Sequence, residues 1–168
     1  RADRHFATAA RRGPKDPEIE NNYAIYLCRN GRIDEGVKHF ESAARNPLYR
    51  TPAAAYTNAG VCQRGAGRFV DAEKNFLRAL QLRPNSAEAA FQLGDLRLQQ
   101  GATAEARTDV DRFLEAFRAT PDLLLLRVRI ARATGDKLAE EKFSRRLRID
   151  FPESDQVRAL GAAARNPG

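Results

Sequence analysis

Few side chains in this 168-residue chain are suited to covalent, metal or acid–base chemistry. There are two histidines, His5 and His39, and two cysteines, Cys28 and Cys62. A structural zinc site needs four ligands at short spacings such as Cys-x-x-Cys, and neither cysteine has such a partner. Both histidines read as surface or packing residues. Gly65-Ala66-Gly67-Arg68 has a faint likeness to a phosphate loop, but no strand precedes it and the Lys-Ser/Thr pair that grips phosphate and magnesium is missing. It reads instead as a longer turn between two helices, one that accounts for two extra residues in its repeat. Asp109 and Asp111 read as exposed helical carboxylates, not as a catalytic pair. No catalytic, cofactor-binding or metal-binding residue is assigned, and the chain reads as non-enzymatic with no cofactor.

The elements that would position any site follow from a period. Gly31, Gly67, Gly101 and Gly135 are spaced 36, 34 and 34 residues apart. Seven residues before them stand Ala24, Gly60, Gly94 and Val128, and five after the first three stand Gly36, Ala72 and Ala106. Nine after come Phe40, Phe76 and Val110; the fourth unit runs one residue short, with Ala139 and Phe143 in these places. A period near 34 with small, small and large positions in this order resembles the tetratricopeptide (TPR) repeat. Each unit is then a helix A, a glycine turn and a helix B. The small residues let the two backbones approach, and the large one fills the space beside them.

Start and stop signals set the boundaries. Asp16-Pro17, Thr51-Pro52 and Thr120-Pro121 place a capping side chain before a proline at the first helical position. Asn85 with Glu88 reads as a capping box. Pro47, Pro84 and Pro152 close B helices. The A helices are predicted near 17–30, 52–65, 86–100 and 121–134, and the B helices near 33–45, 69–82, 103–118 and 136–150. Ala2, Phe6, Ala9 and Pro14 repeat the spacing of Ala72, Phe76, Ala79 and Pro84. Residues 1–16 are therefore expected to be a half-repeat, a B helix whose A helix would precede Arg1. A helix near 154–164, started by Ser154, is expected to cap the last repeat. The expected fold is all-α, a right-handed α-solenoid and one continuous array over 1–168. Its repeats are 17–52, 53–86, 87–120 and 121–152, with a cap and tail at 153–168.

The formal net charge is +7. Basic residues alternate with acidic ones and no aromatics interleave with them, which disfavours nucleic acid as partner. No apolar run approaches membrane-spanning length; Leu123–Leu126 is too short. The surface left for a partner is the concave face of the A helices. Counting from each turn, its inward positions are Asn21, Ile25, Arg29, Thr57, Val61, Arg64, Phe91, Asp95, Leu98, Arg129 and Arg132. Their mix of apolar and basic groups suits an amphipathic helix or extended peptide with acidic flanks. The Lys and Asn residues of a clamp for C-terminal carboxylates do not recur at these positions, which disfavours chaperone tails. Cys28 and Cys62 lie near the ends of adjacent A helices. Spacing alone leaves two readings open: a disulfide, or two small buried thiols in a reduced protein.

Several segments are less generic than the repeat. Asn21-Asn22-Tyr23-Ala24, Leu27-Cys28, Gly31-Arg32, Asn46-Pro47-Leu48-Tyr49, Thr51-Pro52 and Asn58-Ala59-Gly60-Val61-Cys62 follow one another in order. With Val128-Arg129-Ile130-Ala131 and Arg148-Ile149-Asp150-Phe151-Pro152, they resemble the type IV pilus biogenesis and stability lipoprotein family, the PilF/PilW pilotins. The resemblance covers nearly the whole chain, and its specific part is residues 21–62. It implies a non-enzymatic adaptor of six TPR units at the periplasmic face of the outer membrane, with the pilus secretin subunit as protein partner. It also implies membrane attachment through lipid on an N-terminal cysteine, which would lie upstream of Arg1. Cys28 and Cys62 would then form a disulfide, since the periplasm is oxidising. The alternatives are a cytosolic TPR scaffold of another complex and a regulatory TPR domain of a larger protein.

Overall fold

The structure, a computed structural model, describes residues 16–163. His5, almost all of the expected half-repeat at 1–16, and the tail from 164 lie outside the described residues. Among those described, all the regular structure is helical: α1 (Pro17–Arg29), α2 (Ile33–Arg45), α3 (Pro52–Gly65), α4 (Phe69–Leu82), α5 (Ala87–Gln99), α6 (Thr103–Ala116), α7 (Pro121–Thr134), α8 (Lys137–Asp150) and α9 (Asp155–Ala163). The fold is the all-α fold of TPR helix pairs. The chain divides after Ala89 into two compact units. In the first, α1 packs on α2, α2 on α3 and α3 on α4. In the second, α7 packs on α6 and α8, and α9 lies against both α7 and α8. There α9 buries Leu160, and the Ser154 hydroxyl oxygen accepts from Val157 N at 3.4 Å.

The four periodic glycines end the A helices. All have positive φ, between 70° and 79°, a region that costs a side-chain-bearing residue energy. The turns are alike in their bonding. Arg32 N donates to Leu27 O, Arg68 N to Gln63 O, Ala102 N to Arg97 O and Asp136 N to Ala131 O, at 2.8–2.9 Å. These are the six-to-one bonds of a Schellman end, which satisfy carbonyls the helix leaves without a partner.

That uniformity corrects one expectation. The two extra residues between Gly31 and Gly67 are not in the turn at Gly65-Ala66-Gly67, which matches the others. They lie in the connector Asn46–Thr51, six residues long. The later connectors, 83–86, 117–120 and 151–154, each have four. The longer connector is built rather than loose. Leu48 N donates to Asn46 Oδ1 and Tyr49 N to Asn46 O, both at 3.0 Å. The Tyr49 ring is buried in the core cluster of Ala24, Phe40, Ala43, Ala55, Ala59 and Cys62.

Two caps also differ. Thr51 makes no side-chain capping bond to α3, and its ψ of 53° lies outside the extended region a capping residue takes. The α5 start is capped by Ser86, whose Oγ accepts from Ala89 N at 3.3 Å, in place of an Asn85–Glu88 box. The caps at Asp16 and Thr120 form as expected. Helix α6 ends at Ala116, two residues short of expectation.

The close approach within each pair is specific. A Cβ built on Gly60 would strike the buried Phe76 ring, 2.7 Å from Cδ1. One on Gly94 would come 2.8 Å from Val110 Cγ2. The small residue seven before the turn thus receives the large residue nine after it. We predict that Gly60→Ala lowers stability by about 1–3 kcal/mol despite its better helix propensity, because Phe76 has nowhere to move. Denaturant unfolding measures this. Where α2 and α4 begin, Arg68 pairs in two-pronged fashion with Asp34, one period earlier. The guanidinium holds the Asp34 carboxyl below its ordinary 3.8. The pair therefore contributes above that pH and is lost as pH falls through the lowered value. Arg68→Gln is expected to return the Asp34 titration towards 3.8 in a carboxyl NMR titration.

Candidate functional site

The first unit carries an open groove of about 720 Å³ between neighbouring A helices. Ile25 and Arg29 come from α1, and Asn58, Val61 and Gly65 from α3. The turn residues Gly31 and Ala66 close one end, with Ile33 and Phe40 of α2 contributing below. Cys28 and Cys62 both line it. In the structure their sulfurs are bonded, with Cα atoms 5.8 Å apart. The bond spans 34 residues, so by chain entropy it stabilises the first two repeats by roughly 3–4 kcal/mol.

The residue that makes room for this bond is Gly36 on α2. A Cβ there would lie 2.5 Å from Cys28 Sγ and 3.1 Å from Ala24 O. The equivalent positions in the next two repeats hold alanine, Ala72 and Ala106, both fully buried. Glycine thus stands where a sulfur has taken the space of a methyl group. A second link, Asn58 Nδ2 donating to Asn21 Oδ1 at 3.3 Å, joins α3 to α1 beside the groove.

Of the expected inward positions, Ile25, Arg29 and Val61 line the groove. Val61 is a valine left 42% exposed. Asn21 is instead buried and used in the bond to Asn58. Thr57 is buried, its hydroxyl donating to Ala53 O at 2.9 Å. Arg64 is half-buried outside the groove lining. In the second unit Phe91, Asp95 and Leu98 are half-buried on α5. Arg129 Nη1 reaches Asp95 at 2.7 Å, again one period away. Arg132 Nε turns to Glu140 of α8 at 2.7 Å, and with Lys137 it holds that carboxyl low. These two arginines are therefore engaged within their own unit. Among the described residues, Arg29 is the one charged residue lining the groove.

Counting along the A helices left out Asn58 and Gly65 of α3, the turn residues Gly31 and Ala66, and Ile33 and Phe40 of α2. Asn58, Val61 and Gly65 follow one helical face at steps of three and four, a signal present in the sequence. Asp109 and Asp111 are half-buried, not exposed as expected; Asp109 pairs with Arg97, and Asp111 accepts from Arg127 Nε at 2.5 Å. His39 Nδ1 lies 3.2 Å from the buried Glu20 and edge-on to Tyr23. Among the described residues no group of three or more His, Cys, Asp or Glu is placed to hold a metal ion, and no helix is long and apolar enough to cross a membrane.

A groove between A helices, with apolar walls and helix pairs behind it, has the form of the concave surfaces that repeat proteins offer to partners. The chain belongs to the tetratricopeptide repeat family, whose model matches residues 24–87, 59–122 and 91–155. Within it, the chain is related to the type IV pilus biogenesis factors. It is 23% identical over 153 residues to the type IV pilus assembly protein PilF of Pseudomonas aeruginosa, covering 91% of this chain. It spans 61% of that relative's length. It is similar to the crystal structure of PilW, a widely conserved type IV pilus biogenesis factor, with 30% identity and a TM-score of 0.75. That match covers 95% of this chain and 73% of PilW. A solved structure of Pseudomonas aeruginosa PilF shares the fold at TM-score 0.70 and 22% identity, covering 96% of this chain and 73% of that one. The chain is thus a TPR protein–protein adaptor related to PilF and PilW, and no catalytic family is indicated.

The Gly36 contact predicts a reversal of sign. In the oxidised protein, Gly36→Ala should lower stability by about 1–3 kcal/mol through overpacking against Cys28 Sγ. With Cys28→Ala and Cys62→Ala already made, the same change should be neutral or stabilising, since alanine is the better helix former by about 1 kcal/mol. Urea unfolding of the four proteins closes the cycle.

Proposed function

We propose that this chain is the TPR region of a pilotin-like adaptor at the periplasmic face of the outer membrane. It would hold a segment of the type IV pilus secretin subunit and assist that subunit's localisation and assembly. The observation that carries the proposal is the likeness to PilW across 95% of the chain at 30% identity. The groove supplies the means. An apolar side chain of the partner would lie on Ile25 and Val61, with a neighbouring carboxylate facing Arg29. The disulfide in its wall favours an oxidising compartment. It also fixes two repeats before the partner arrives, so less ordering entropy is lost on binding.

Purified secretin subunit should bind this chain, and Val61→Glu should weaken the complex tenfold or more by placing a carboxylate in an apolar wall. Secretin that does not bind this chain would overturn the proposal. Protein drawn from its native compartment should resist thiol alkylation until reduced; two freely alkylated thiols would count against the periplasmic location.

A further inference from the structure

We infer that the Asn46–Thr51 connector is a second contact, a fixed knob whose Leu48 enters an apolar socket with an acidic rim on the protein partner. This rests on the proposed function for the partner's identity but not for the geometry. Leu48 is 78% exposed. A single exposed leucine is ordinary on a protein surface. What distinguishes this one is the structure built to present it. Its connector is two residues longer than the later ones. Asn46 holds the turn from both sides, with its side chain to Leu48 N and its carbonyl to Tyr49 N. Tyr49 then drives its ring into the core that also contains Cys62. Thr51 makes no capping bond to the first turn of α3, so the connector forgoes a cap worth roughly 1 kcal/mol in other helices.

The knob's surroundings indicate the chemistry of the socket. Arg45, paired with Glu41 but still 67% exposed, and the exposed Arg50 stand on either side of Leu48 in sequence. A bilayer surface is engaged by helices with several aliphatic side chains on one face. One leucine on a rigid turn between two cations instead fits a matching pocket bordered by carboxylates, where preorganisation reduces the entropy lost on docking. The same buried cluster supports Tyr49 and the disulfide under the groove, so knob and groove form one rigid surface in the first unit.

The test uses the whole chain and the purified periplasmic part of the secretin subunit. Leu48→Asp should weaken binding at least tenfold, and Arg50→Glu several-fold. Neither should shift the unfolding midpoint, because both side chains are exposed. If secretin binds the parent and the Leu48→Asp chain equally, the knob is overturned while the pilotin reading stands. If secretin does not bind the parent at all, that reading fails and this inference with it. Loss of binding only to phosphatidylglycerol vesicles on Leu48→Asp would assign the knob to lipid and overturn the protein socket.

Discussion

The distance at which helix A meets helix B is set by residues too small to hold them apart. Gly60 admits the Phe76 ring and Gly94 admits Val110. Ala24 is fully buried at the corresponding place in the first repeat, and Ala72 and Ala106 at the small position five after the turn. From that spacing the rest follows. The B helix lies close enough for its large residue to close the core, and the turn must reverse within two or three residues. Only a positive φ at the glycine permits that reversal. Neighbouring A helices are then brought close enough for Cys28 and Cys62 to pair. The disulfide in turn imposes its own requirement on the packing, since Cys28 Sγ occupies the space where a Gly36 side chain would begin.

Because the repeats follow one another at a near-constant period, side chains one period apart become neighbours. Cys28 with Cys62, Asp34 with Arg68, Asp95 with Arg129 and Asp122 with Gln156 are all separated by 34 residues. The cysteines reach this separation even though one stands three residues before its glycine and the other five. The two added residues precede α3 and move Cys62 and Gly67 together, so the separation stays at 34 because Cys62 stands two residues further from its glycine than Cys28 does.

Local signals in the sequence carried most of the helical architecture. Proline at the first position, a capping oxygen and a glycine stop act within one turn of where they stand, so they are readable from neighbours alone. Tertiary competition was not readable. Thr51 has every local mark of a cap, yet it makes no capping bond; it ends a connector whose Tyr49 ring is held by residues far along the chain. The count between glycines also had no phase: it showed two extra residues but not which loop held them. For the groove, Ile25, Arg29 and Val61 follow from distance to the turn. Asn21 and Thr57 were counted inward in the same way, but a hydrogen bond to α3 and a carbonyl within α3 claim them. The glycine at position 36, where the next two repeats have alanine, was a mark of the disulfide visible in the sequence itself.

The charge of the chain is a poor guide to what it binds. Five of the seven net positive charges belong to residues 1–15 and to Arg165, outside the described residues. Within those described, many arginines have acidic partners: Arg68, Arg97, Arg127, Arg129 and Arg132 each reach a carboxylate on another helix. Such pairs set the register between helices and leave little field to steer a ligand. Recognition in the first unit must therefore come from shape and apolar contact, with single charges such as Arg29 setting orientation. That division of labour suits an adaptor whose partner is a folded or extended protein segment rather than a polyanion, because fit, unlike charge, does not saturate with the first acidic molecule encountered.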